Sequence, residues 1–181
     1  MLTSSEWSTK GAPEPLRAVL DTNVLISALV YPGPTGRVWD LALEGLFEVF
    51  VSPFLLEELR RNLLVKLGFP QARVDALILG VRAVARLVHP PISISVVRRK
   101  DSDNRILECA VEAKAHVLVT GNMGDLRVLG SFQGIAILKP REFLDQFFPE
   151  DAGSTVGEGA AGLSYAAGLP RSEEWANLPA R

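Results

Sequence analysis

The stretch Val19-Leu-Asp-Thr-Asn-Val-Leu-Ile-Ser-Ala28 decides the fold of this 181-residue chain. With Arg17 and Ala18 before it, its first part is a short apolar run that ends in an acid, which is typical of a buried strand. Residues 23–31 carry the apolar spacing of a helix. The pattern predicts a strand, an aspartate (Asp21) at its carboxyl end, and a helix that follows at once.

The same alternation of strand and helix continues along the chain. Strands or extended segments are predicted over residues 47–51, 92–97, 116–120 and 134–138. Helices are predicted over residues 35–45, from the Ser52-Pro53 start signal to Gly68, over 71–87, after Asp101-Ser-Asp-Asn104, and from Pro140 to Phe147. Such alternation implies a parallel sheet with helices on both faces. The predicted fold class is α/β, a three-layer α/β/α sandwich with a central parallel sheet.

Composition divides the chain into three parts. Residues 1–16 are predicted to be a flexible N-terminal segment, 17–149 a folded domain, and 150–181 a flexible tail rich in Gly and Ala. The whole chain has a net charge of −2, which by itself would argue against a nucleic-acid partner. Residues 17–149 hold 16 Lys and Arg against 14 Asp and Glu, a net charge of +2. The overall charge therefore does not exclude RNA.

A cytoplasmic location is expected from three features of the sequence. Cys109 is the single cysteine, which excludes an intrachain disulfide and a zinc site built from several cysteines. No apolar run approaches the roughly 18 to 20 residues of a membrane helix, so no membrane partner is expected. The first residues include Glu6 and Glu14 and lack the apolar core of a secretory signal.

Acidic side chains recur where predicted strands or loops end. They are Asp21, the neighbours Glu57 and Glu58, and Asp101 with Asp103. Carboxylates that are held together need protons or a bound cation, and oxygen ligands without paired Cys or His favour Mg²⁺ or Mn²⁺. The chemical hypothesis is metal-assisted hydrolysis of phosphodiester bonds. The alternative for any single acid is that capping and the helix dipole alone place it at a helix start.

Five segments of the chain, in order from Arg17 to Phe147, resemble PIN-domain ribonucleases, in particular bacterial PIN proteins classed as toxins of toxin-antitoxin pairs. The first is Val19-Leu-Asp-Thr-Asn-Val-Leu-Ile-Ser-Ala28. The others are Val51-Ser-Pro-Phe-Leu-Leu-Glu-Glu-Leu59, Asp103-Asn-Arg-Ile-Leu-Glu-Cys-Ala110, Val117-Leu-Val-Thr-Gly-Asn-Met-Gly-Asp-Leu126 and Ile135-Ala-Ile-Leu-Lys-Pro-Arg-Glu-Phe143. The resemblance implies a divalent-metal-dependent endoribonuclease.

The resemblance also implies roles for individual residues. Asp21, Glu58 and Asp103 would be the catalytic acids and the ligands of Mg²⁺ or Mn²⁺, with Glu57 as a rival for Glu58 that helical phase does not exclude. Asn23 and Thr120 would orient carboxylates or bound water.

The chain departs from the family pattern at Asn122, where many relatives carry aspartate. Asp125, three residues on, would be a peripheral contributor in its place. Asn122 supports the alternative of a catalytically weak or inactive PIN-like module that binds RNA or protein. A phosphatase of the haloacid-dehalogenase type is disfavoured because it would need aspartate where Asn23 stands.

Basic residues flank the predicted acids and are candidates for contact with the RNA backbone. They are Arg60, Arg61, Arg98, Arg99 and Lys100. The resemblance further implies an antitoxin protein as a possible partner and a homodimer. Cys109, His89 and His116 are assigned structural roles, and Trp39 fits either the core or a dimer interface.

Overall fold

A six-stranded sheet organises the protein, whose computed structural model describes residues 14–31, 33–97, 101–121 and 124–150. The strands are β1 (Arg17–Leu20), β2 (Glu48–Val51), β3 (Arg86–Leu87), β4 (Val117–Val119), β5 (Ser131–Phe132) and β6 (Ile135–Leu138). Their order across the sheet is β3-β2-β1-β4-β6-β5, and every neighbouring pair is parallel except β5 with β6. The predicted α/β fold with a parallel sheet is confirmed, with one short antiparallel edge strand that the sequence did not predict.

Helices connect the strands and cover the sheet. They are α1 (Thr22–Val30), α2 (Pro34–Leu43), α3 (Pro53–Arg61), α4 (Gln71–Val84), α5 (Asp101–Glu112), α6 (Asp125–Leu129) and α7 (Pro140–Phe147). β1 lies between β2 and β4, and its last three residues are at most 1% exposed. This central position explains why the apolar run before Asp21 carries such a clear strand signal.

Two predicted helices differ in detail from the structure. The helix after Pro53 continues from α3 into a π-helical turn, Asn62–Lys66, before Gly68 ends it with φ +64°. The helix over 71–87 was predicted too long. It stops at Val84, because Ala85 is extended and Arg86–Leu87 pair with β2 as strand β3.

Residues 92–97, which were predicted to be an extended segment, belong to no helix or strand and are held in place by side chains of α5. Asn104 Oδ1 accepts hydrogen bonds from the backbone N–H groups of Val96 (3.1 Å) and Val97 (2.8 Å), and its Nδ2 donates to the Val97 carbonyl at 2.8 Å. Glu108 Oε1 accepts from the Ile94 N–H at 2.7 Å. Side chains of α5 thus replace the ladder that a neighbouring strand would supply.

The core settles several structural predictions. Trp39 is 1% exposed and belongs to the core, and Cys109 is fully buried. His116 Nδ1 accepts a hydrogen bond from the Arg17 N–H at 3.0 Å, which is a structural role.

None of the described helices is long and apolar enough to span a membrane. The predictions of flexibility for residues 1–13 and 151–181 lie outside the described residues.

Candidate active site

Asp21 lies at the junction of β1 and α1, and hydrogen bonds with β4 and with α1 fix its position. Its backbone N–H donates to the Val119 carbonyl at 2.9 Å, and its carbonyl accepts from the Leu25 N–H at 2.9 Å as the first bond of α1. Its side chain caps the helix by accepting from the Asn23 N–H at 3.4 Å. The carboxylate is 4% exposed. Strand pairing and capping therefore fix a nearly buried acid at the carboxyl edge of the sheet.

Thr120 approaches Asp21 from the neighbouring strand. Thr120 directly follows β4, is fully buried, and donates from Oγ1 to Asp21 Oδ2 at 2.6 Å. This contact agrees with the predicted orienting role of Thr120. Asn23 contributes through its backbone N–H, while its side chain is exposed.

Glu58 is the carboxylate of α3 that faces Asp21. The helix begins at Ser52, whose Oγ accepts from the Leu55 N–H at 3.3 Å, and it buries Leu55 and Leu59. Glu58 lies beside that buried stripe and is half-buried, whereas Glu57 points away and is exposed. Thr22 Oγ1 donates to Glu58 Oε2 at 2.7 Å. The structure therefore brings Glu58, and not Glu57, to Asp21.

Burial and a neighbouring charge act together on Asp21. Burial raises the pKa of its carboxyl, the hydrogen bonds from Thr120 and the Asn23 N–H oppose that shift, and the Glu58 charge adds to it. The folded environment thus makes ionisation of Asp21 less favourable than that of an exposed aspartate, and bound positive charge would oppose this effect. An acid of this kind at a strand end is a candidate ligand or proton acceptor.

Asp103 lies in the first turn of α5 and is 4% exposed. Helix α5 packs against β1, β2 and β4, and Asp21 and Thr120 directly follow two of these strands. Among the side chains that the structure describes, no three from Asp, Glu, His and Cys are grouped closely enough to hold a metal ion. Two of the three predicted acids are therefore brought together, and Asp103 stays a prediction as the third.

Comparison with known proteins decides the family. A family model of the PIN domain matches residues 17–124, which include Asp21, Glu58, Asp103 and Thr120. The chain belongs to the PIN domain family. The resemblance to the PIN domain is confirmed, and so is the three-layer α/β/α architecture that the PIN domain has.

This PIN domain also resembles a protein from an archaeon. An uncharacterized protein of Methanocaldococcus jannaschii is 30% identical over 145 residues, which cover 73% of this chain and 92% of that relative. PIN domains are generally nucleases and typically use divalent metals. The family therefore supports a nuclease-type fold for this chain.

The acids of this PIN domain fit a hard divalent cation of the magnesium type. Such an ion keeps several waters and is usually bound by one or two carboxylates together with substrate phosphates. Asp21 and Glu58 supply two such carboxylates, and bound positive charge would offset both causes that raise the pKa of Asp21. The donor set contains oxygen only, which disfavours zinc.

Several predicted site residues lie outside the described part of this PIN domain. They are Asn122, Arg98, Arg99 and Lys100. Asp125 is the first residue of α6.

The two basic residues at the end of α3 have different environments. Arg60 donates to Asp75 Oδ1 at 2.5 Å and so ties α3 to α4, whereas Arg61 is exposed. The Arg60 contact also lowers the pKa of Asp75. Of the pair, Arg61 is the residue that is available for a phosphate contact.

Sequence reasoning missed Thr22. It is 2% exposed, and its hydroxyl donates a hydrogen bond to Glu58, whereas the sequence pattern around Asp21 drew attention only to Asp21 itself and Asn23. A threonine at the first position of a helix, next to a candidate ligand, is the signal that was present in the sequence.

Proposed function

We propose that this PIN domain is a divalent-metal-dependent endoribonuclease that hydrolyses RNA phosphodiester bonds. One observation carries the proposal: Asp21 lies near enough to Glu58 to be affected by its charge, and each of the two acids accepts a hydrogen bond from a threonine hydroxyl. Two acids held in this way form a preorganised site for positive charge. The family, whose members are generally nucleases, supports the same chemistry.

The protein's own groups have distinct tasks in this proposal. Asp21 and Glu58 bind the cation, and Asp103 is proposed as a third ligand or as a carboxylate that completes the site when substrate is bound. Thr120 fixes the orientation of the Asp21 carboxylate through Oδ2. When bound, Mg²⁺ or Mn²⁺ supplies positive charge to a phosphate and lowers the pKa of a coordinated water.

RNA is proposed as the substrate because basic residues border the acids in sequence. Arg61, Arg98, Arg99 and Lys100 would contact phosphates, and Arg60 would do so only in competition with its ion pair to Asp75. We further propose that the protein is the toxin of a toxin-antitoxin pair, acts in the cytoplasm and forms a homodimer. A small antitoxin would then cover the acidic edge.

The test is cleavage of mixed RNA by the full chain with Mg²⁺ or Mn²⁺. Chelator and Asp21→Asn serve as controls, and both should reduce cleavage by more than about 100-fold. Cleavage that persists in both controls would exclude the proposed mechanism. Metal binding without cleavage would instead favour the alternative of a PIN-like binding module.

A further inference from the structure

Thr22 and Glu58 form a partly buried contact between α1 and α3. Thr22 is the first residue of α1, is 2% exposed, and donates from Oγ1 to Glu58 Oε2 at 2.7 Å. The distance is in the range of a short O–H···O bond to a charged acceptor. The two residues are 36 positions apart in sequence, so the contact depends on the packing of α1 against α3.

The direction of this hydrogen bond is fixed by the chemistry of the two groups. A threonine hydroxyl has one proton to donate, and an ionised carboxylate can only accept. The bond therefore engages Oε2, and within the described part of the chain Oε1 of Glu58 has no hydroxyl donor. A glutamate side chain has three rotatable bonds, so without this donor the carboxylate would sample several positions.

The same arrangement occurs at the other acid of the site. Thr120 donates to Asp21 Oδ2 at 2.6 Å, while Thr22 donates to Glu58 Oε2. Thr22 also follows Asp21 directly in the chain. The residue that donates to Glu58 is therefore joined by a single peptide bond to the other acid of the site. The start of α1 thus sets the positions of both carboxylates.

The geometry points to Thr22 as a positioning residue for cation binding: its hydroxyl holds Glu58 so that the free carboxylate oxygen is presented together with Asp21. This inference rests on the proposed function, because it assigns Thr22 a task in the metal site of that function. Thr22 touches no reacting atom, and its effect is transmitted through Glu58. Loss of the hydroxyl should therefore weaken cation binding more than it weakens the fold.

A purely structural role predicts a different result. A buried hydroxyl also needs a hydrogen-bond partner, and Glu58 could serve merely as that partner. In that case removal of the hydroxyl would change stability and leave the affinity for cations unchanged. Thr22→Val retains the size of the side chain and removes the hydroxyl, whereas Thr22→Ser retains the hydroxyl.

The experiment measures Mn²⁺ binding to the full chain by calorimetry, with thermal unfolding in chelator and RNA cleavage measured in parallel. Thr22→Val should weaken Mn²⁺ binding by about 10- to 100-fold, whereas Thr22→Ser should retain most of the wild-type affinity. Ile135→Val is the matched control for a small loss of core packing. Ile135 is buried and is the first residue of β6, whereas the candidate site lies where the parallel strands end. This control variant should leave Mn²⁺ binding and cleavage unchanged.

Two failures can be told apart in this design. If wild-type protein neither binds Mn²⁺ nor cleaves RNA, the proposed function fails, and the role of Thr22 fails with it. If wild-type protein binds Mn²⁺ and Thr22→Val binds it equally well, only the role of Thr22 is overturned. Equal weakening by Thr22→Val and Thr22→Ser would also overturn it, since the hydroxyl would then not be the active group.

Discussion

Thr120 Oγ1 lies 2.6 Å from Asp21 Oδ2, and this bond joins two residues that are 99 positions apart in the sequence. Each residue directly follows a strand of one parallel pair, β4 and β1. The backbone supports the same contact, because the Asp21 N–H donates to the Val119 carbonyl at 2.9 Å. Strand pairing therefore places the donor and the acceptor of the candidate site next to each other before any cation is bound.

Replacement of Thr120 by valine tests this relationship. Thr120→Val keeps the volume of the side chain but removes the donor to Asp21, so we expect Mn²⁺ binding to weaken by about 10- to 100-fold. The free energy of unfolding should fall by about 1–3 kcal/mol, because a buried hydrogen bond to an acid is lost. Calorimetric titration and urea unfolding measure the two effects. Thr120→Ser is the control, and Mn²⁺ binding by Thr120→Val at wild-type affinity would contradict the orienting role.

The strand and helix order of this domain could be predicted from sequence because most elements carry a clear apolar period. Residues 18–20 of β1 and the whole of β4 (Val117–Val119) are buried in a parallel sheet, and this burial explains why both runs are apolar. The end of α4 could not be placed, since its apolar pattern continues past Val84. Only the pairing of Arg86–Leu87 with β2 turns that stretch into a strand.

The choice between Glu57 and Glu58 shows a second limit of prediction from the sequence. The structure buries Leu55, Leu59 and Leu63 and leaves Leu56 partly exposed. Leucine stands at both 55 and 56, and neighbouring positions of a helix point about 100° apart. The sequence alone therefore does not decide which side of α3 faces the core.

Asn104 gives a prediction about stability. Its side chain satisfies the N–H groups of Val96 and Val97 and the Val97 carbonyl, in a segment that has no strand partner. Asn104→Ala removes these partners, so we expect the free energy of unfolding to fall by about 2–4 kcal/mol. Urea unfolding measures the change, with Ser95→Ala, an exposed position, as control.

Hydrogen exchange provides an independent check of the Asn104 contacts. The amides of Val96 and Val97 should exchange slowly in the wild type, although they belong to no helix or strand, and faster in Asn104→Ala. Rapid exchange of both amides in the wild type would show that Asn104 does not hold the segment.

Cys109 should be unreactive in the folded protein. Burial raises the pKa of its thiol to about 12, against the opposing effect of a hydrogen bond with Ser52. Near pH 8 the thiolate fraction would then be on the order of 10⁻⁴, compared with about 10⁻¹ for an ordinary thiol. We expect alkylation by iodoacetamide, followed by mass spectrometry, to be slower by about 1000-fold or more than in guanidinium chloride. Equal rates in the two solvents would mean that the thiol is accessible.

Asp21 makes the stability of the cation-free protein depend on pH in an unusual direction. Burial, with the nearby Glu58 charge, raises the pKa of Asp21 above its ordinary value of 3.8 in spite of the bonds from Thr120 and the Asn23 N–H. The folded state therefore favours the protonated acid. The stability that this group contributes is fully present below pH 3.8 and is lost as the pH rises through the higher pKa of the folded state.

A comparison of Asp21→Asn with the wild type isolates this effect from the other acids. Asparagine keeps an oxygen that can accept from Thr120 but carries no charge. The stability of the Asp21→Asn variant therefore lacks the pH dependence that Asp21 contributes in the wild type. In chelator, the free energy of unfolding of Asp21→Asn minus that of the wild type should increase as the pH rises from about 4 to 7. Saturating Mn²⁺ at pH 7 should reverse the order, because the cation stabilises only a protein that binds it. Urea unfolding at each pH measures both trends. A difference that stays constant with pH would refute the raised pKa of Asp21, and a failure of Mn²⁺ to stabilise the wild type selectively would refute its role as a ligand.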